Sequence, residues 1–154
     1  MELFYEKYPA YTQQKVSICD APIDDIFCGE DIVRFNFPNG FYLIKDDEVV
    51  LSGSGCIEFK ECSDDCFSCY IIKRKRSKKG ARCRVVPISL TELSKKLHRG
   101  NKSIELFSEL YGFSSMHWRG TIVPYKKRGL SDLVVIETID QISMCYKYEE
   151  ASEK

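Results

Sequence analysis

The sequence predicts an α+β domain with a largely antiparallel sheet and two consecutive central helices. Three observations lead there. Short β-branched and aromatic segments dominate the first half, a capped apolar period of 3.6 begins at Ser89, and strand-like segments return after Trp118. At 154 residues the prior is one domain, taken as 1–148, with an acidic tail at 149–154 expected to fray. A chain of this size buries roughly 68–70% of its unfolded surface, so a core needs no crosslinks.

In chain order, "DIVRFNF" (31–37) and "FYLIKD" (41–46) flank "PNG". Asn39-Gly40 tolerates positive φ, so the pair reads as a hairpin. "EVVLS" (48–52) and "CIEFK" (56–60) are further strands, followed by "CYIIK" (69–73) and "CRVVPI" (83–88). "SLTE" (89–92) is a capping box, and Leu90, Leu93 and Leu97 share one helical face that Gly100 can end. A second helix is expected from Asn101 or Ser103 to Gly112, with Ile104, Phe107, Leu110 and Tyr111 as its apolar face. "GTIVPY" (120–125), "LVVIETI" (133–139) and "ISMCYKY" (142–148) complete the sheet.

The start, "MELFYEKYPAYTQQ", has neither a basic nor an apolar leader region, and "LVVI" is far too short to span a bilayer. The expectation is an intracellular protein, cytoplasmic or nuclear, with no membrane partner. Disulfides rarely persist there, so clustered thiols favour metal or redox chemistry.

Net charge is zero, with a strong asymmetry beneath it. Residues 1–72 carry 5 Lys/Arg against 14 Asp/Glu, a balance of −9. Residues 73–128 carry 16 against 3, or +13, and residues 129–154 carry 2 against 6, or −4. A cationic middle third is the electrostatic footprint of a polyanion partner, RNA above all. The bland alternative is neutralisation within the fold.

Residues 62–84 concentrate both signals. Cys62, Cys66 and Cys69 stand within eight residues, and Cys83 follows after thirteen more. Zinc takes four ligands in a tetrahedron, and a close thiol trio plus one remote thiol fits a four-cysteine structural site, one zinc per chain. If "SKKG" turns a tight hairpin, however, Cys83 falls opposite Arg74 or Arg76, too far from Cys69 to share a metal. Cys56, then His98 and His117, are the substitutes. Buried free thiols and redox use remain open, and Cys19, Cys28 and Cys145 read as buried thiols.

Lys73, Arg74, Lys75, Arg76, Lys78, Lys79, Arg82 and Arg84 place eight cations in twelve positions. Lys95, Lys96, Arg99 and Lys102 continue the charge, and Lys126, Lys127 and Arg128 form a third cluster. Together they could make one phosphate-binding face. Phe113, Trp118 and Tyr125 are either stacking platforms or core. "KRKRSKK" also suits a nuclear import signal.

No phosphate-cradling glycine loop, metalloprotease helix or GxSxG elbow is present, so no enzyme is expected. The best nucleophile would be Cys28, with His98 or His117 as base.

The stretch "CSDDCFSCYIIKRKRSKKGARC" (62–83) pairs a CxxC-centred thiol cluster with a cationic run. In size and cysteine use the chain resembles the small cysteine-rich silencing-suppressor proteins of plant RNA viruses, such as the first-reading-frame proteins of sobemoviruses. That resemblance implies suppression of host RNA silencing, zinc binding and self-association, hence a homodimer and a host-protein partner. The reading is therefore a non-enzymatic, zinc-stabilised RNA-binding regulator. The alternative is a protein-interaction adaptor whose basic run serves import or docks an acidic partner.

Overall fold

The computed structural model describes residues 3–7, 16–112, 115–124, 130–138 and 143–151. Among them strands dominate, with one α-helix, so the expected α+β fold with two central helices is corrected to a mostly β architecture.

The strands are β1 (Leu3–Lys7), β2 (Val16–Ser17), β3 (Pro22–Ile23), β4 (Asp25–Cys28), β5 (Ile32–Phe37), β6 (Tyr42–Lys45) and β7 (Glu48–Leu51). After these come β8 (Gly55–Lys60), β9 (Phe67–Ser77), β10 (Gly80–Pro87), helix α1 (Leu90–Gly100), β11 (Ser103–Gly112), β12 (Ser115–Val123), β13 (Leu133–Thr138) and β14 (Ser143–Glu149). One sheet runs β1-β14-β8-β5-β4, a second runs β10-β9-β13-β12-β11-β3, and a small third runs β2-β6-β7. Every pairing is antiparallel.

The two large sheets meet through aromatic side chains that alternation sends inward. Val33, Phe35 and Phe37 of β5 are buried at every second position. The Phe35 ring lies 5.0 Å from that of Trp118, edge to face, and Phe59 lies 5.2 Å from Phe67. Such pairs add about 0.5–1.5 kcal/mol beyond their area burial. Helix α1 packs on β4 through Leu90, Leu93 and Leu97, all buried as its period requires. Ser89 caps it as expected, its hydroxyl accepting from Glu92 N at 3.1 Å. The stop is Asn101 in the left-handed region (φ 47°), not Gly100, which is still helical.

Two sequence expectations fail for tertiary reasons. The expected second helix is β11. A bulge between Leu106 and Ser108 leaves Phe107 unopposed, so inward residues shift from Ile104 and Leu106 to Glu109 and Tyr111. Phe107 and Leu110, which completed the expected helical stripe with Ile104 and Tyr111, are exposed. The "PNG" hairpin fails differently. A turn exists, with Gly40 at φ 77° and its N–H donating to Phe37 O at 3.1 Å. Its flanks part into different sheets, because β5 pairs with β4 and β8 while β6 pairs with β2 and β7. The hairpin turn in this region is Asp46-Asp47, both with positive φ. Glu149, assigned to the fraying tail, ends β14 and exchanges backbone bonds with Gly53 and Ser54. No described helix is long and apolar enough to cross a membrane.

Candidate functional site

Strand β9 outruns its sheet. Phe67 to Ile72 pair with β13, and from Tyr70 onward β10 pairs on the other edge, but Lys73–Ser77 pair with β10 alone. The result is a two-stranded ribbon extending past the sandwich. Ser77 Oγ donates to Gly80 O at 2.8 Å across its tip, and Gly80 takes φ 116° there. Of the two arrangements the sequence left open, the hairpin turning at "SKKG" is the one the structure has.

Register then decides which cations share a face. Lys73 is opposite Arg84, and Lys75 is opposite Arg82. Directly opposed residues point the same way, about 4.5–5.5 Å apart at Cβ, so these four charges form one ladder. Arg74 and Arg76 point the other way, opposite Cys83 and Ala81, with Lys78 and Lys79 in the turn. Lys75, Arg76, Lys78, Lys79, Arg82 and Arg84 are exposed, while Lys73 and Arg74 are half-buried. Arg74 is engaged, its Nε donating to Ser131 O at 2.8 Å. Among the described residues no carboxylate pairs with any cation of the ribbon. Like charges directly opposite each other disfavour the ribbon, so an anion between them would relieve it.

The other predicted contacts divide. Lys95, Arg99 and Lys102 line a shallow depression on α1 with Lys96 and Glu92. Lys126, Lys127, Arg128, Phe113 and Tyr125 lie outside the described residues. Trp118, expected among the nucleic-acid contacts, is corrected: it is fully buried between Phe35 and Phe59, its Nε1 donating to Tyr111 OH at 3.2 Å. A ring in that position cannot stack on a base.

The four-cysteine set is not assembled. Cys83 sits opposite Arg74, five residues along β9 from Cys69, which is on the order of 16 Å. Cys56 lies in the other sheet, opposite Asn36 and Lys147, rather than near Cys69. His98 Nε2 bonds Asp25 at 2.9 Å. His117 Nδ1 meets Glu137 at 2.6 Å while its Nε2 accepts from Arg119 at 2.8 Å. Cys56 is thus in the other sheet, and each histidine is engaged by a carboxylate. No group of three or more His, Cys, Asp or Glu among the described residues is arranged to hold a metal ion.

Cys62 and Cys66 do come together, side chain to side chain, with Cys28 close by. The strand ends explain this: Cys62 N donates to Asp31 O beside the β4–β5 turn, and a short 3₁₀ turn (Asp64–Cys66) swings Cys66 back. Asp64 within that turn accepts from Leu90 N, Thr91 N and Thr91 Oγ1, fixing it to the start of α1. Burial, then the neighbouring Cys66, pushes Cys62 up to about 12. Burial, then Asp64, does the same to Cys69. Burial also raises Cys28, against a lowering bond from Thr91. A catalytic thiol needs the opposite shift.

Sequence reading passed over one charged cluster. Glu58 points to the outer face of its sheet yet is only 2% exposed, with Arg34 Nε at 3.0 Å and Lys147 Nζ at 2.8 Å. Burial alone would raise its pKa, but the Lys147 and Arg34 bonds outweigh it and hold the carboxyl below its ordinary range. These side chains line a cleft of about 600 Å³ with Asp25, Asn36 and Cys56. The signal was alternation: Arg34, Glu58 and Lys147 hold the outward phase between buried apolar residues on three strands that prove adjacent.

No family model, no curated protein and no solved structure matches the chain.

Proposed function

We propose that this protein is a non-enzymatic nucleic-acid-binding protein that holds phosphates along the β9–β10 ribbon. One observation carries the reading: the ladder of Lys73, Arg84, Lys75 and Arg82 stands clear of the core without a described carboxylate partner. Phosphates spaced along a strand neutralise such a ladder and release condensed counterions. RNA, the expectation from sequence, and DNA share this chemistry.

The test is affinity for a labelled oligonucleotide at several salt concentrations, for wild type and for Lys73→Gln/Lys75→Gln/Arg82→Gln/Arg84→Gln. Each of these cations that neutralises a phosphate contributes roughly 0.9 to the slope of log affinity against log salt, so the variant's slope should be shallower by roughly 2–4. An unchanged slope with native circular dichroism removes nucleic acid from the ribbon.

A second reading, an interaction adaptor, is favoured by the β6–β7 hairpin. Its edge strand exposes Val49 at 68%, with Val50, Leu51 and Ile44 also open to solvent. Unpaired apolar edges of this kind are pairing templates for other chains. The same titration separates the readings, because an apolar strand edge offers no charge to phosphates: folded protein that binds no oligonucleotide favours the adaptor.

A further inference from the structure

The ribbon's shape and composition say which form of nucleic acid it fits, given the phosphate-binding reading above. Residues 73–85 contain no aromatic side chain, and Trp118 is buried. The exposed ring of Phe107 lies on β11, separated from β9 by β13 and β12. Single strands are held largely by stacking on aromatic faces, and the ribbon offers none. A duplex presents its phosphates at fixed spacing and needs no stacking platform.

Width and depth select the duplex form. Two strands about 4.8 Å apart, with their side chains, make a blade suited to the major groove of B-DNA, about 12 Å wide and 8.5 Å deep. The major groove of A-form RNA is too deep and narrow for side chains to read. At about 3.3 Å per residue, a depth of 8.5 Å admits roughly the last two to three residue pairs. Those pairs are Ser77–Gly80, Arg76–Ala81 and Lys75–Arg82. The pair Lys73–Arg84 then stands at the rim, where the phosphates are.

We propose that the ribbon enters the major groove of B-form duplex DNA tip first. Lys75, Arg76, Lys78, Lys79 and Arg82 lie within the groove, and Lys73 and Arg84 hold the phosphate rim. Arginines inside the groove reach guanine O6 and N7, and the small Ala81 side chain beside Arg76 leaves room for that approach.

The test compares three fluorescent oligonucleotides of matched length at one salt concentration: duplex DNA, duplex RNA and single-stranded DNA. Duplex DNA should bind at least about tenfold tighter than either other form. Lys75→Gln/Arg82→Gln should erase most of that preference, while Lys73→Gln/Arg84→Gln should weaken all three forms alike. Each variant's circular dichroism shows whether it has folded. Equal affinity for the three forms, tighter binding of RNA or single strands, or a preference that survives Lys75→Gln/Arg82→Gln overturns groove entry and leaves phosphate binding standing. Failure of the folded wild type to bind any of the three overturns both.

Discussion

The two halves of β9 share a backbone conformation and little else. Phe67–Ile72 is paired with β13 throughout and with β10 as well from Tyr70, and its inward residues Cys69 and Ile71 are buried beneath the opposite sheet. Lys73–Ser77 is bonded on one edge, and the same inward parity carries Lys73 and Lys75. The period of 2 continues unbroken; only the chemistry on it changes. Where a neighbouring sheet covers the strand, apolar burial holds it in place. Where the cover ends, long cations replace the apolar residues and keep the ribbon soluble and free of edge pairing. The half that stabilises and the half proposed to meet a partner are thus separable, and substitutions should divide the same way.

The sharpest division comes from the core. Trp118→Ala removes the ring that Phe35 and Phe59 pack against. Loss of about 3–5 kcal/mol is expected by urea denaturation, with ribbon-dependent binding unchanged in the population that stays folded. Coupled loss of binding affinity in folded protein would show that the two halves of β9 are not independent.

Next is Glu58, which stands on the covered sheet but faces outward. Its folded carboxyl titrates below its ordinary range because Lys147 and Arg34 outweigh burial. Its stabilising contribution is therefore present above the unfolded carboxyl's pKa and disappears as pH falls through the folded value. Glu58→Gln should cost about 1–2 kcal/mol at neutral pH, less than a sealed ion pair would because Arg34 and Lys147 reach solvent. Its stability should also fall less steeply toward acid than that of wild type. Parallel acid curves for the two proteins would assign acid sensitivity to other groups.

The smallest effect belongs to the ribbon's thiol. Cys83 is exposed and remote from Cys62, Cys66 and Cys69. Cys83→Ser should change stability by no more than about 0.5 kcal/mol and leave metal content as it was, measured by urea denaturation and elemental analysis. A larger drop, recovered by adding zinc, would mean that the ribbon folds back and that the contrast within β9 is wrong.

How much of this was legible depends on range. The Ser89 cap, the apolar face of α1 and the "SKKG" turn are set by residues within a turn of one another, and the chain places them as read. The separation of Cys83 from Cys69 followed from that turn, so the four-cysteine zinc site was already in tension with its own hairpin. Segment 103–112 departs from the helical expectation because Phe107 and Leu110, apolar but exposed, complete a helical spacing with Ile104 and Tyr111, and only pairing with β12 shows which of them face the core. Trp118 stood between cationic clusters in sequence and could have been a platform or core.

By itself the sequence determined where cations and thiols cluster, where α1 starts, and that extended segments predominate in the first half. Only the tertiary structure decided that "PNG" separates two sheets, that Trp118 is sealed in the core, and that Cys28 lies near Cys62. It also brought Arg34, Glu58 and Lys147 together across three strands. Turn and cap energies act between residues a few positions apart, whereas strand pairing and burial join residues tens of positions apart, where one sequence supports many pairings until the whole core chooses among them.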